Sequence, residues 1–486
     1  MGNLKDINYG VGKYLTADDA TSIPDIENNR VNLDTLNFKL ASNNSYALYN
    51  MKDGFIEAFE DTSGVDASAS TNETRDSSSK YYSGSVAGTA TGGTETSYTA
   101  DGNDYKVHTF TSTGNFTVSA GTGNVDILVV AGGGGTGGND GNNGAGGGGG
   151  GGMREISGSS MTEAVFAVTV GAGGVQAKGG NSSVAYSSGA GSSFSTISAT
   201  GGGQGGGTGA GSTGGSGGGH GGWSSGSPGP GSAGNEGGYS PAEGHDGGDG
   251  SNGGGSPPCP SRNGGGGGGA GGAGGDAPAR SGNTSGPGGD GGVGSQNNWR
   301  TGSNVYYAGG GGGAGTSGGG SGGNGGGGAG GSGYGPEGSN GTANTGGGGG
   351  GGSHGTSGST GGSGIVVLRY IDGAFVAYNN MTVVSNAQTA QAQPDTTRIT
   401  VFEHPSTGTT TLNTDIKAYA SRDNGTTYTQ ITLADDGEYE SGKKLLSGSV
   451  DISGQPAGTS MRYKIETLNQ SSSKITRLHG VSLQWA

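Results

Sequence analysis

A single cysteine, Cys259, stands among 486 residues, so no intrachain disulfide can form. Its place between Pro258 and Pro260 in a polar stretch argues against a thiol nucleophile. Basic residues are scarce as well: 23 Lys and Arg face 38 Asp and Glu, a formal net charge of −15. That balance does not suit a phosphate backbone or an anionic bilayer, so neither nucleic acid nor membrane is an expected partner. The chain has no apolar run of about 18 residues for a membrane span. The opening Met1-Gly-Asn-Leu-Lys-Asp6 lacks the apolar stretch of an export signal, and none is expected. Leu, Ile, Val and Phe together supply roughly 13% of residues, below the ~20% that accompanies an ordinary packed core.

Glycine fills the space these residues leave. Of 124 glycines, 102 lie between Ala131 and Gly364, without collagen's strict every-third-residue repeat. Glycine has no side chain to bury and loses the most freedom on ordering, so such a tract either stays disordered or folds through its backbone. The flanks favour folding. Val125-Asp-Ile-Leu-Val-Val130 runs into the tract and Ile365-Val-Val-Leu-Arg-Tyr370 leaves it, two apolar strands expected to pair and bring the tract's ends together. Ala164–Val170, Ser183–Tyr186 and Phe194–Thr200 are expected to extend that sheet. The body that follows suits polyproline-II-like glycine helices lying side by side. These have three residues per turn and no internal hydrogen bonds, so each must bond to its neighbours.

The chain as a whole is expected to divide into four regions. Residues 1–60 read as an attachment and oligomerisation segment: a strand over Val31–Leu40, where Leu36, Phe38 and Leu40 alternate with polar residues, then a helix carrying Leu48, Met51, Phe55, Ile56 and Phe59 on one face. That face either packs on its own strand or joins copies of the chain, and a homotrimer is the expected assembly. Residues 61–104, rich in Ser, Thr, Gly and Asp, read as an extended linker. Residues 105–370 form the strand-framed glycine domain, opening with a hairpin of Tyr105–Phe110 on Asn115–Val118. Residues 371–486 alternate apolar and polar positions between regular turns, the pattern of an antiparallel β-sandwich. The fold class is therefore mainly β.

Motifs for chemistry are wanting. G-x-G-x-x-G matches are what so glycine-rich a tract yields by chance, and no phosphate loop, H-E-x-x-H or paired Cys-x-x-Cys occurs. The six histidines are scattered, no cofactor or metal is expected, and no persuasive pair of carboxylates suggests polysaccharide cleavage. Ser421-Arg-Asp-Asn-Gly-Thr-Thr-Tyr428 matches the Asp-box pattern once, which points to a hairpin turn. The acidic group Asp435, Asp436, Glu438 and Glu440 suits either calcium or a solvated hairpin loop. Aromatics stranded among the glycines (Trp223, Tyr239, Trp299 and Tyr334), with His245 beside them, either plug the ends of glycine helices or form exposed recognition loops.

The entry Ile127-Leu-Val-Val-Ala-Gly-Gly-Gly-Gly, the internal Val168-Thr-Val-Gly-Ala-Gly-Gly and Ala199-Thr-Gly-Gly-Gly, and the exit Gly361-Gly-Ser-Gly-Ile-Val-Val-Leu-Arg-Tyr resemble the glycine-rich domain of phage tail fibres and adhesins. Val11-Gly-Lys-Tyr-Leu and the Asp415–Tyr428 segment are similar to stretches in structural proteins of marine phages. The resemblance implies a virion location and a polyglycine-II body. It implies contact with other virion proteins through the N-terminal segment, and non-catalytic attachment to a host-surface polysaccharide or protein. The alternative it leaves is a tail, neck or capsid-associated fibre with no receptor. A β-domain after the glycine tract departs from the adhesins and places receptor contact either there or in the glycine loops.

Overall fold

A computed structural model describes residues 23–138, 143–177, 186–222, 229–251, 262–278, 286–333, 335–353 and 355–486. The chain forms two compact units: residues up to Val86 together with Ala377–Ala486, and Ala87–Val376. The fold is mainly β, with one helix among the described residues.

The first unit is a β-sandwich. One sheet runs in the order Leu48–Met51, Gly54–Glu57, Ile475–Trp485, Thr396–Thr407, Lys443–Asp451, Ala434–Glu440, with Tyr81–Ser83 also on Ile475–Trp485. The facing sheet runs Met381–Val384, Ser460–Thr467, Ile416–Ser421, Thr429–Ile431. Between them lie Phe55, Phe59, Val383, Ile399, Val401, Ile465 and their neighbours, all buried. Strand Ser460–Thr467 alternates buried and half-buried residues along its whole length, the period of two that made this half legible. The Asp-box residues do form a turn: Thr427 N donates to Asp423 Oδ1 at 2.8 Å and Gly425 N to Ser421 Oγ at 2.9 Å. The acidic group lies along the strand Ala434–Glu440 rather than in a loop, with Asp435 and Glu440 ion-paired to Lys444 and Lys443 of the neighbouring strand.

The N-terminal expectations are exchanged. Val31–Leu40 lies in the helix Ile23–Asn43, and Leu48–Glu57 is a hairpin, Met51 facing Gly54 across a two-residue turn. The turn is Lys52-Asp53, and pairing of the two strands it joins outweighs the helical spacing of the apolar residues around it. In a helix, Leu36 and Leu40 share one side and Phe38 takes the other, so their alternation was two faces seen together. Val31, Asp34, Phe38 and Ala41 are buried against the sandwich, while Leu33, Leu36 and Leu40 are 54%, 63% and 44% exposed. Asp34 is the helix's tether: Arg398 Nη1 bonds its carboxylate, and Thr400 Oγ1 donates to Oδ2 at 2.8 Å. Phe55, Ile56 and Phe59 are wholly buried in their own unit, with Leu48 and Met51 packed beside them, so none of the five offers a free face.

The second unit is built on one sheet, ordered Ile197–Ala199, Ser192–Phe194, Met153–Thr169, Gly114–Val130, Ile365–Ile371, Asn103–Phe110, Thr94–Ala100. The entry and exit strands are neighbours as expected, with Val130 opposite Ile365. They read as continuous apolar runs because both faces are covered: Ile127, Val129, Val366 and Leu368 enter one core, Leu128, Val130, Ile365 and Val367 the other. Two expectations fail here. The exit strand inserts between Asn103–Phe110 and Gly114–Val130, so the anticipated hairpin does not form. Residues 61–104 are not a linker: they contribute short strands, and Thr94–Ala100 pairs with Asn103–Phe110 around Asp101-Gly102, whose φ values of 52° and 77° suit a tight hairpin turn. Of Ser183–Tyr186, only Tyr186 falls within the described residues.

The glycine body grows from the end of this sheet, and the backbone bonds of residues 144–152 reveal its construction. Residues 144, 147 and 150 donate to 262, 265 and 268; residues 145, 148 and 151 donate to 352, 349 and 346; residues 146, 149 and 152 donate to 206, 203 and 200. Every third residue therefore addresses the same neighbour, the signature of a three-residue-per-turn helix. The same segment accepts from three more: Ala131 and Gly134, Ser216, Gly219 and Gly222, and Gly311 and Ala314. Six neighbours surround one rod, bonded at 2.7–3.1 Å. A Cβ on Gly148 would lie 2.2 Å from the Gly134 carbonyl oxygen, so the rods approach too closely for any side chain there.

Candidate functional site

Where the sheet meets the glycine body, the chain leaves a groove of about 400 Å³ lined by Met153–Ile156, Ser240–Ala242, Ala270 and Ser295–Gln296. Three elements make its walls. The strand Met153–Thr169 begins as the chain emerges from the central glycine rod, which fixes Arg154 and Glu155 at the body's rim. The strand Ser295–Asn297, paired with Val305–Tyr307, supplies the second wall. The third is the 235–243 loop, held by its own polar groups. Asn235 Oδ1 accepts from Tyr239 N at 3.1 Å, and buried Glu243 accepts from Thr200 N at 2.9 Å. Met153 N donates to the Glu243 carbonyl, docking the loop on the strand.

The side chains around the groove are fixed before any ligand arrives. The Arg154 guanidinium lies 3.9 Å from the Tyr239 ring centroid, a cation–π contact, and Nη1 donates to the Ser198 carbonyl at 3.2 Å. Tyr239 OH is 3.1 Å from Ser198 Oγ. Glu155 Oε1 accepts from Asn297 Nδ2 at 2.7 Å, and Gln296 Oε1 from Asn304 Nδ2 at 3.1 Å.

Asn297 also joins the groove to an aromatic cluster, because its Oδ1 accepts from Trp299 N at 2.8 Å. There the Arg369 guanidinium lies 4.5 Å from the Tyr105 ring and 5.4 Å from the Trp299 ring, and Nη1 donates to Tyr98 OH at 3.0 Å. Its partner is Asp126, bonded from Nε and Nη2 at 3.1 and 2.6 Å. Burial alone would raise the Asp126 carboxyl, but bonds from Arg369, Gly158 N and Ser157 hold it below the usual carboxylate range.

Of the five residues singled out from the sequence, two belong to this connected surface: Tyr239 at the groove and Trp299 in the cluster. His245 is set apart from it. Its backbone bonds Gly269 and Gly217 within the body and its side chain is exposed. Trp223 and Tyr334 lie outside the described residues. Sequence reasoning passed over Arg154, Glu155, Asn297 and Arg369. Only Arg369 carried a signal, a lone charge inside the apolar strand Ile365–Ile371.

A family model described as a glycine-rich domain matches residues 108–371, which run from the strand before the tract to the end of the exit strand. No curated protein matches the chain. With more than half of its length matched, the chain belongs to this glycine-rich domain family.

Proposed function

We propose that this protein is a non-catalytic virion fibre or adhesin that attaches its particle to a host-surface glycan, with the glycine body as scaffold and the groove as contact. The observation that carries the reading is the preordered rim: Arg154, Tyr239, Glu155 and Gln296 are each held by a protein partner beside an open groove. Fixed side chains lose little freedom when a ligand binds, which is what an attachment site gains from a rigid scaffold. The virion setting rests on the likeness of the tract's entry and exit to phage fibre domains.

Assembly through the N-terminal segment remains part of the proposal, with its residues reassigned. Leu33, Leu36 and Leu40 follow i, i+3, i+7 spacing on the outer side of the helix Ile23–Asn43, the seam spacing of a coiled coil. The occupants proposed for that face are further copies of this chain. Competition measures the attachment reading directly: purified full-length protein should reduce phage adsorption to host cells in a dose-dependent way. Undiminished adsorption at saturating protein would instead favour a purely structural fibre.

A further inference from the structure

We infer that the groove binds a neutral saccharide of about one or two rings, its 400 Å³ falling at the small end of ligand sites. The inference deepens the attachment reading and rests on it for its biological setting. Its chemistry comes from the lining. Met153 and Ala270, which share one face of the sheet, offer with Pro241 an apolar floor of the kind that receives the C–H face of a pyranose ring. On the rim stand a carboxylate and an amide, Glu155 and Gln296, planar groups whose two polar atoms can engage adjacent hydroxyls. Each is held by a protein amide, Glu155 by Asn297 and Gln296 by Asn304, so part of its hydrogen-bonding capacity is used in positioning and part is left over.

The same residues argue for a neutral ligand over an acidic one. Glu155 places a negative charge on the rim, within a chain of net charge −15. The cation beside it, Arg154, is committed to the Tyr239 ring and to the Ser198 carbonyl. A uronic or sialic acid would meet repulsion without an uncommitted cation to offset it. Glu155 is also the one carboxylate among the lining residues, and glycoside hydrolysis ordinarily needs two flanking the bond. The groove is built to hold a sugar intact.

The test uses the full-length protein on an array carrying neutral hexose and N-acetylhexosamine oligosaccharides beside sialylated and uronic ones. Calorimetry on the best-retained neutral glycan then follows. Retention of neutral glycans is expected, and Glu155→Gln should weaken the titrated affinity roughly tenfold or more through loss of a charged acceptor. Gln296→Ala alters an exposed side chain and should do the same without lowering the melting temperature. His245→Ala, away from the groove, should bind as the parent does. Retention of no neutral glycan, stronger retention of acidic ones, or unchanged affinity in both groove variants would each overturn the inference. Adsorption competition separates the two levels. Competition that survives both groove variants leaves attachment standing and removes the groove, whereas groove-dependent glycan binding without competition does the reverse.

Discussion

Replacing Gly148 by alanine probes the glycine body at its centre. The added Cβ would stand 2.2 Å from the Gly134 oxygen, 2.9 Å from its carbon and 3.1 Å from Gly349 N. All three are backbone atoms, which cannot swing aside as a side chain would. Relief requires the 131–137 rod to retreat by more than 1 Å, since ordinary van der Waals contact for such a carbon begins at 3.4 Å. Gly134 N bonds Gly149 O at 2.8 Å and Gly134 O accepts from Gly349 N at 3.0 Å, so the retreat stretches two buried backbone bonds. Overpacking costs ~1–3 kcal/mol and each of the two buried bonds left unmade ~1–3 kcal/mol, giving a loss of at least about 3 kcal/mol. For a unit of this size that lowers the melting temperature by roughly 10 °C. Gly318→Ala is the matched control, because its Cβ would meet nothing within 4 Å and its φ is not positive. That variant should be neutral or more stable by ~0.5 kcal/mol through the unfolded chain. Calorimetric melting of the two proteins decides: transitions within a degree or two of one another would refute the close-packed account of the body.

Further perturbations address the first unit. Glu57 is wholly buried, and burial pushes its carboxyl up to about 8 despite the hydrogen bond from Tyr463. The unfolded chain releases that proton near 4.5 and the folded one keeps it, so Glu57's contribution falls as pH rises from about 4.5 to 8 and levels off above. Denaturation across that range should show Glu57→Gln losing less stability than the parent; equal slopes would contradict a buried neutral acid. Asp34→Ala removes the buried carboxylate that Arg398, Thr400 and Ser482 all bond and should cost about 3–5 kcal/mol, read as a loss of helical signal and an earlier urea midpoint. Changing Leu33, Leu36 and Leu40 together to serine should convert an oligomer to a monomer in light scattering. An unchanged mass would remove the helix from the interface.

Much of this architecture was written in local pattern. The C-terminal strands announced themselves by alternation, as along Ser460–Thr467, and the paired strands around the tract by their unbroken apolar runs. What local pattern hid was competition between periods. Leu36, Phe38 and Leu40 satisfy a strand and a two-sided helix alike, and distant contacts favour the helix: Asp34 on Arg398, and Val31, Phe38 and Ala41 buried with Phe402. The 61–104 region looked featureless because its strands are short and borrow their order from partners far along the chain, as Thr71 does from Thr382. The groove was half legible. Tyr239 and Trp299 stood out as aromatics among glycines, whereas Glu155 acquires its role from Asn297, 142 residues away.

The pairing of Val130 with Ile365 has a mechanical consequence. Since the chain enters and leaves the glycine body through antiparallel neighbours, a pull on the segments before Gly114 and after Ile371 is resisted by the sheet's ladder. No tension passes through the rods themselves. The body is thus an outgrowth beside the load path, and stretching the flanking segments loads the ladder before it loads the rods.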